Sequence, residues 1–291
     1  MESQCVKEED LLESEDKFHD HCGVFGIENS NEAAKHAFLG LYGLQHRGQE
    51  SAGIVTSDGF QLYSHKSMGH VAEVFNDAIL AQLPGSSAIG HVRYSTTGGS
   101  GLVNAQPIQT NSWRGPLALA HNGNLVNSAQ LRQKLEERGA IFQSTTDTEV
   151  ILHLLARSPL DNLDDALRSV LASVCGAYSL VMLTPTRLYA IRDPHGVRPL
   201  CLGQLNGSYV VASETCAFDL LGAEYVRDIA PGEILRIEKH ELYSTRMPPA
   251  ARTAFCIFEH VYFSRPDSKV FERSVHKSRY KMGRQLAREA W

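Results

Sequence analysis

Residues 19–34 read "HDHCGVFGIENSNEAA", and within them Cys22 stands at a border between two kinds of chain. Before it runs "MESQCVKEEDLLESEDKFHDH", acidic and without an apolar core. After it, "CGVFGIE" is apolar and glycine-punctuated, the pattern of a buried strand. Alone, a cysteine at a strand start is a small buried hydrophobe. A functional reading needs a thiolate, and a thiol with a pKa near ~8.5 supplies little of it at neutral pH. If the chain began at Cys22, its α-amino group, with a reference pKa of about 7.7–8.0, could act as general base. That reading requires removal of residues 1–21.

The 291 residues suffice for one large domain or two small ones. Composition is ordinary for a soluble globular chain, but the formal net charge of −5 is unevenly placed. Residues 1–21 hold eight acids and two lysines, a net of −6, so the rest lies close to +1. The body therefore offers no basic field to nucleic acid. The leader lacks the features of a secretory signal or an organelle transit peptide, and reads as a solvated tail. No stretch approaches the ~18 apolar residues of a membrane span. Six cysteines (Cys5, Cys22, Cys175, Cys201, Cys216, Cys256) show no CxxC spacing. This argues against a disulfide framework or local zinc site and for a reducing cytoplasm.

Strands are expected at "CGVFGIE", "SAGIVTSD" (51–58), "SAIGHVRYST" (87–96) and "PLALAHNGN" (116–124), with a helical stretch around 31–45. Helices follow in "NSAQLRQKLEERG", "TDTEVILHLLARS" and "DNLDDALRSVLASV", the second with Thr146 and Glu149 spaced as a capping box. Strands return in "AYSLVMLTP", "RLYAIRD", "LCLGQLNGSYVVASE" and "GEILRIEKHELYS". This order suggests α+β layers rather than a βαβ repeat. From about Pro248 the chain reads as a connector ending in a basic amphipathic helix, with no later element for that helix to pack on.

Four further stretches bear on chemistry. In "HVRYSTTGG" (91–99), Arg93 is either a surface ion-pair partner or a strand-end guanidinium able to grip a carboxylate. In "LALAHNGNLVN", Asn122-Gly123 is most simply a tight turn, yet an Asn amide beside a Gly N–H also supplies the two donors of an oxyanion hole. In "TTDTE", Asp147 sits in the first turn of a helix, where it meets the dipole or holds a substrate ammonium. A thiol, an oxyanion hole, a carboxylate clamp and an ammonium clamp together suit a zwitterionic amino acid with a reactive side-chain carbonyl; glutamine fits.

In order and spacing, "CGVFGI", "LQHRGQESAGIV", "GHVRYSTTG", "AHNGNLVN" and "TDTEV" resemble the class II glutamine amidotransferases, N-terminal-nucleophile hydrolases with an αββα sandwich. Within them, "QHRGQ", "HVRYST", "IRDPHGVRPL" and "FEHVYFSRPDS" resemble the branch that delivers ammonia to phosphoribosyl pyrophosphate in purine synthesis. The aminosugar synthases typically read more like QYRGYDS and HTRWAT at the first two. The resemblance implies that Cys22 is the nucleophile, Asn122 and Gly123 the oxyanion hole, Arg93 the α-carboxylate clamp and Asp147 the α-amino clamp. It implies that Tyr94 and Thr96 line the pocket and that Arg47 lies on a loop that closes it. His46, His91 and His121 are then structural. Cys256 matches one ligand of an iron–sulfur cluster found in some members, incomplete here.

Residues 1–21 are thus expected to be a propeptide, 22–247 the amidotransferase domain, and 248–291 the connector and first helix of a truncated phosphoribosyltransferase domain. Asp164-Asp165 runs into a helical pattern without a phosphate loop, so the chain is expected to be a fragment. No cofactor is expected in it; Mg2+ and a 4Fe–4S cluster belong to the full-length family member, which the resemblance makes a homo-oligomer. The alternatives are the glutaminase half of another class II amidotransferase, or a non-catalytic regulatory remnant.

Overall fold

The structure is a computed structural model and describes residues 22–94 and 101–290. The 1–21 leader and Thr96 lie outside the described residues. The first half of the chain forms β1 (Gly23–Glu28), α1 (Ala33–Gly43), β2 (Ser51–Ser57), β3 (Leu62–Met68), α2 (Val71–Val74), α3 (Asp77–Leu80) and β4 (Ser87–Arg93). Then come β5 (Ile108–Ser112), β6 (Gly115–Leu125), α4 (Ser128–Glu136), α5 (Thr148–Arg157) and α6 (Leu163–Leu171). Strands dominate again in β7 (Gly176–Leu183), β8 (Leu188–Arg192), β9 (Cys201–Leu205) and β10 (Ser208–Ala212). After α7 (Cys216–Leu221) follow β11 (Glu224–Asp228), β12 (Glu233–Glu238) and β13 (Glu241–Arg246). A π-helical turn (Glu259–Phe263), the small hairpin β14 (Lys269–Val270) and β15 (Arg273–Ser274), and α8 (Val275–Glu289) complete the chain.

Two antiparallel sheets result, one of seven strands in the order β11-β9-β10-β1-β4-β2-β3 and one of six in the order β13-β12-β8-β7-β6-β5. The alternation of side chains along a strand sorts the core into three layers. Phe25 and Ile27 of β1 pack with Ala37 and Leu41 of α1 and with Phe218 of α7. Val24 points the other way and packs with Ala118 and Ala120 of β6, Val181 of β7 and Leu235 of β12, between the sheets. Leu117, Leu119 and Leu125 of β6 meet Ile151 and Leu155 of α5 and Leu167 and Val170 of α6 on the far side. The layers run helix, sheet, sheet, helix, as the α+β expectation implied.

Several elements differ from the sequence pattern. "LCLGQLNGSYVVASE" is a hairpin, β9–β10, turning at Asn206 (φ 48°) and Gly207 (φ 88°). The β12–β13 turn uses Lys239 (φ 53°) and His240 (φ 63°), left-handed residues that composition does not announce. The Thr146–Glu149 capping box does not form: α5 starts after Asp147, and Glu149 instead accepts from the Gln143 and Ser144 N–H groups at 2.8 Å each. Asn122-Gly123 is not a turn either, since β6 runs through both and pairs them with Ser179 and Tyr178.

The segment after Pro248 is no free spacer. Ala254 N donates to His195 O at 2.9 Å, Cys256 N to Val197 O at 3.2 Å, and Lys269 N to the Thr215 hydroxyl at 2.8 Å. In α8, by contrast, only Val275 is buried. Among the described residues no helix is long and apolar enough to cross a membrane.

The α1–β1 seam is tight because Gly40 has no side chain: a Cβ there would lie 2.3 Å from the Phe25 ring. Phe25→Ala should therefore cost about 3–5 kcal/mol in urea unfolding, the usual loss for a buried Phe. A loss below about 1 kcal/mol would show that the seam collapses freely and does not hold β1.

Candidate active site

Strand alternation brings the candidates into one layer. Val24 faces the second sheet, so Cys22, two residues earlier, does too. Ile89 of β4 and Ala120 of β6 belong to the same layer, which carries His91, Arg93 and Asn122 to that side. Gly23 pairs with Val92, so Cys22 comes level with Arg93 at the end of β4. Cys22, Arg93, Tyr94, Gly123 and Asp147 all line one cavity, completed by Gln106, His121 and Thr146. Its volume is about 10 Å³, room for roughly one water. An amino-acid substrate must open it.

Cys22 is buried, and its thiol donates to Tyr94 O at 3.5 Å, a bond only the protonated form makes. Burial pushes the thiol pKa up, although Arg93 and Arg47 pull in the other direction. Cys22 therefore rests as a thiol, and any use of it as a nucleophile needs a base.

Gly123 has φ 150°, and a Cβ there would sit 1.9 Å from Ala177 O, so only glycine fits. Asn122 is fully buried, and neither its Nδ2 nor its Oδ1 has a hydrogen-bond partner. A buried, unsatisfied amide costs about 1–3 kcal/mol.

Asp147 stands immediately before α5 rather than in its first turn, and does not cap the helix. Its Oδ2 accepts from Leu125 N at 2.8 Å, and Thr148 Oγ1 donates to Oδ1 at 3.4 Å. Burial alone would raise its pKa, but His121, with Nδ1 3.6 Å away, and the surrounding donors hold it below the ordinary carboxylate value. Arg93 is almost fully buried and donates to Glu50 Oε1 at 2.8 Å. Glu50 escaped the sequence reading because nothing in "RGQES" marks it as facing a residue 43 positions away.

Arg47 departs most from expectation. It is not on a closing loop but in a short 3-10 turn (Gln45–Arg47), buried to 1% exposure. Its Nε donates to Cys22 O at 3.1 Å, Nη1 to Glu214 Oε1 at 2.5 Å, and Nη1 and Nη2 to the two Glu259 oxygens at 2.9 Å each. Burial opposes the Glu214 charge, yet Arg47 and His46 bring its pKa down to about 2. With these donors committed, Arg47 holds the Cys22 backbone.

The three histidines differ. His46 Nε2 meets Glu214 Oε1 at 2.8 Å. His91 Nε2 donates to His121 O at 3.0 Å, and burial lowers its pKa to about 3. His121 lines the cavity: Nδ1 meets Thr148 Oγ1 at 3.0 Å while its buried Nε2 has no partner. Thr148 gives its proton to Asp147 and accepts from Gln106 Nε2, so Nδ1 is the donor and Nε2 is left without a partner.

Cys256, the expected single cluster ligand, lies beside an arginine. Arg198 Nη1 lies 3.7 Å from its sulfur, and among the described residues it belongs to no group of three candidate ligands.

The glutamine amidotransferase domain model matches residues 92–219, which hold Arg93, Asn122, Gly123 and Asp147. The amidophosphoribosyltransferase of Bacillus subtilis is 47% identical over 273 residues, covering 94% of this chain and 57% of that protein. A solved structure described as the allosteric regulatory enzyme of purine biosynthesis superposes with TM-score 0.89 at 48% identity, over 92% of this chain and 58% of that one. The B. subtilis glutamine phosphoribosylpyrophosphate amidotransferase complexed with ADP and GMP gives 0.88 at 47%, with the same coverage. The chain spans less than two thirds of the length of these relatives. Residues 92–219 thus match a glutamine amidotransferase domain. More particularly, the chain is similar to the amidophosphoribosyltransferases over the part of their length that it matches.

His91 gives the site a pH signature. Its folded pKa, about 3, lies below the ordinary 6.5, so the unfolded chain binds the proton first. Its contribution is intact above pH 6.5 and lost as pH falls from there toward about 3. The slope approaches ~1.4 kcal/mol per pH unit. Unfolding at stepped pH should show that slope reduced in His91→Gln; equal slopes in both proteins would mean His91 protonates freely in the fold.

Proposed function

We propose that this chain is the glutaminase half of an amidophosphoribosyltransferase. It hydrolyses glutamine to glutamate and ammonia through a Cys22 thioester. The ammonia is destined for phosphoribosyl pyrophosphate, giving 5-phosphoribosylamine in the first step of purine synthesis. The observation that carries this reading is the single cavity holding the Cys22 thiol, Arg93, Gly123 and Asp147, with the unsatisfied Asn122 beside Gly123 in β6.

The reading assigns roles as follows. Arg93, its charge shared with Glu50, receives the α-carboxylate; Asp147, held ionised, receives the α-ammonium. The Cys22 thiol passes its proton to the base, and sulfur attacks the side-chain carboxamide carbon. Asn122 Nδ2–H and Gly123 N–H face the developing oxyanion, where preorganised donors in a dry site act most strongly. The intermediate collapses as ammonia leaves with the proton returned by the base. Water then attacks the thioester, releasing glutamate and restoring the thiol. Tyr94, which lines the cavity, borders the substrate in this reading.

The base is the Cys22 α-amine, freed by cleavage between His21 and Cys22. While that bond is intact, the nitrogen is an amide with no lone pair for the thiol proton. Once free, its pKa falls near working pH, where general-base catalysis is most effective. A second reading has one observation in its favour: the unpartnered His121 Nε2 in the cavity, backed by Thr148 and Asp147.

Two measurements separate these. Mass spectrometry of active protein should find Cys22 at the N-terminus, and a chain still carrying residues 1–21 should release no ammonia from glutamine. Full activity in the uncleaved chain would transfer the base to His121. Cys22→Ser should fall below about a tenth of wild-type activity, since a hydroxyl is far harder to deprotonate. Activity above that level removes Cys22 as nucleophile.

A further inference from the structure

The chemistry above draws on β1, β4, β6 and the turn before α5. It leaves unused a buried carboxylate from the far end of the chain. Glu259, in the π-helical turn, is fully buried and accepts from both Nη atoms of Arg47 at 2.9 Å. Ser264 Oγ donates to its Oε2 at 2.7 Å. A guanidinium is planar, so a carboxylate gripping both Nη atoms fixes the direction of Nε as well. That Nε holds Cys22 O at 3.1 Å.

We infer that Glu259 is a positioning residue for the nucleophile, aiming Cys22 through Arg47, and that the segment carrying it belongs to the catalytic apparatus. The inference rests on the glutaminase reading. The same segment acts a second time through Glu214, the other partner of Arg47. Arg265 N donates to Glu214 Oε2 at 2.9 Å and Ser268 Oγ to the same oxygen at 2.6 Å. Both carboxylates that orient Arg47 are therefore set by residues 259–268. Cys22 itself lies just before β1, whose ladder to β4 begins at Gly23, so the Arg47 bond fixes the carbonyl that the ladder leaves out. A shift of this carbonyl moves the thiol and the Cys22 nitrogen together.

In protein beginning at Cys22, Glu259→Gln should lower kcat for glutamine hydrolysis by about 10- to 100-fold, the effect of small misplacements at a reacting centre. KM for glutamine should stay within about twofold. Hydrogen exchange should rise in the peptide starting at Cys22 while β6 and β7 keep their protection. If Glu259→Gln fails to fold, Ser264→Ala loosens Glu259 more gently and should show the same changes at smaller size. Unchanged exchange at the start of β1 in a folded variant overturns the inference, as does a fall in kcat matched by an equal rise in KM. Exchange needs no glutamine, so a wild-type protein without glutaminase activity would remove the functional reading and leave Glu259 still decided.

Discussion

Burial of β1 on both faces constrains everything around Cys22. Phe25 and Ile27 are committed to the α1 side, and Val24 to the layer between the sheets. A one-residue slip would turn the thiol toward α1 and drive Phe25 into the second sheet. The strand lies fourth of seven, hydrogen-bonded to β10 and β4 on its two edges, so it has no freedom to slip. Register against β4 then brings Arg93 level with Cys22. Arg47 extends the same control past the ladder, to the Cys22 carbonyl.

A site built this way carries an electrostatic cost. The layer that fixes the thiol also desolvates it, and burial outweighs the pull of two nearby guanidiniums, so the thiolate is disfavoured at rest. Asp147 shows the opposite balance: a similar burial is overcome by His121 and by donors from β6 and α5. One group is kept neutral, while the other stays charged. The orphaned Asn122 amide adds stored cost of the same kind, beside Gly123 in β6.

Much of this was legible in the sequence, and the reasons differ by residue. The apolar runs around Val24, Ile89 and Ala118 gave the strands, and "HVRYST" and "AHNGN" placed Arg93, Asn122 and Gly123 near strand ends. The strand through Asn122-Gly123 was hidden because Asn-Gly is the commonest hairpin signal, and only the pairing with β7 overrides it. Arg47 was misplaced because a guanidinium reads as exposed unless its partners are known, and those partners, Glu214 and Glu259, lie 167 and 212 residues away. Gln106, His121 and Glu50 share that difficulty. Their roles follow from three-dimensional neighbours rather than from any local pattern.

The central claim is that one sulfur, at the head of the central strand, carries the substrate through a covalent state. Acid quenching during glutamine turnover, followed by peptide mass analysis, tests it directly. The account predicts a γ-glutamyl adduct confined to the peptide that begins at Cys22 and absent when Cys22 is replaced. An adduct on Cys175, Cys201, Cys216 or Cys256, or sustained turnover with no adduct at any quench time and no burst of ammonia, would contradict it.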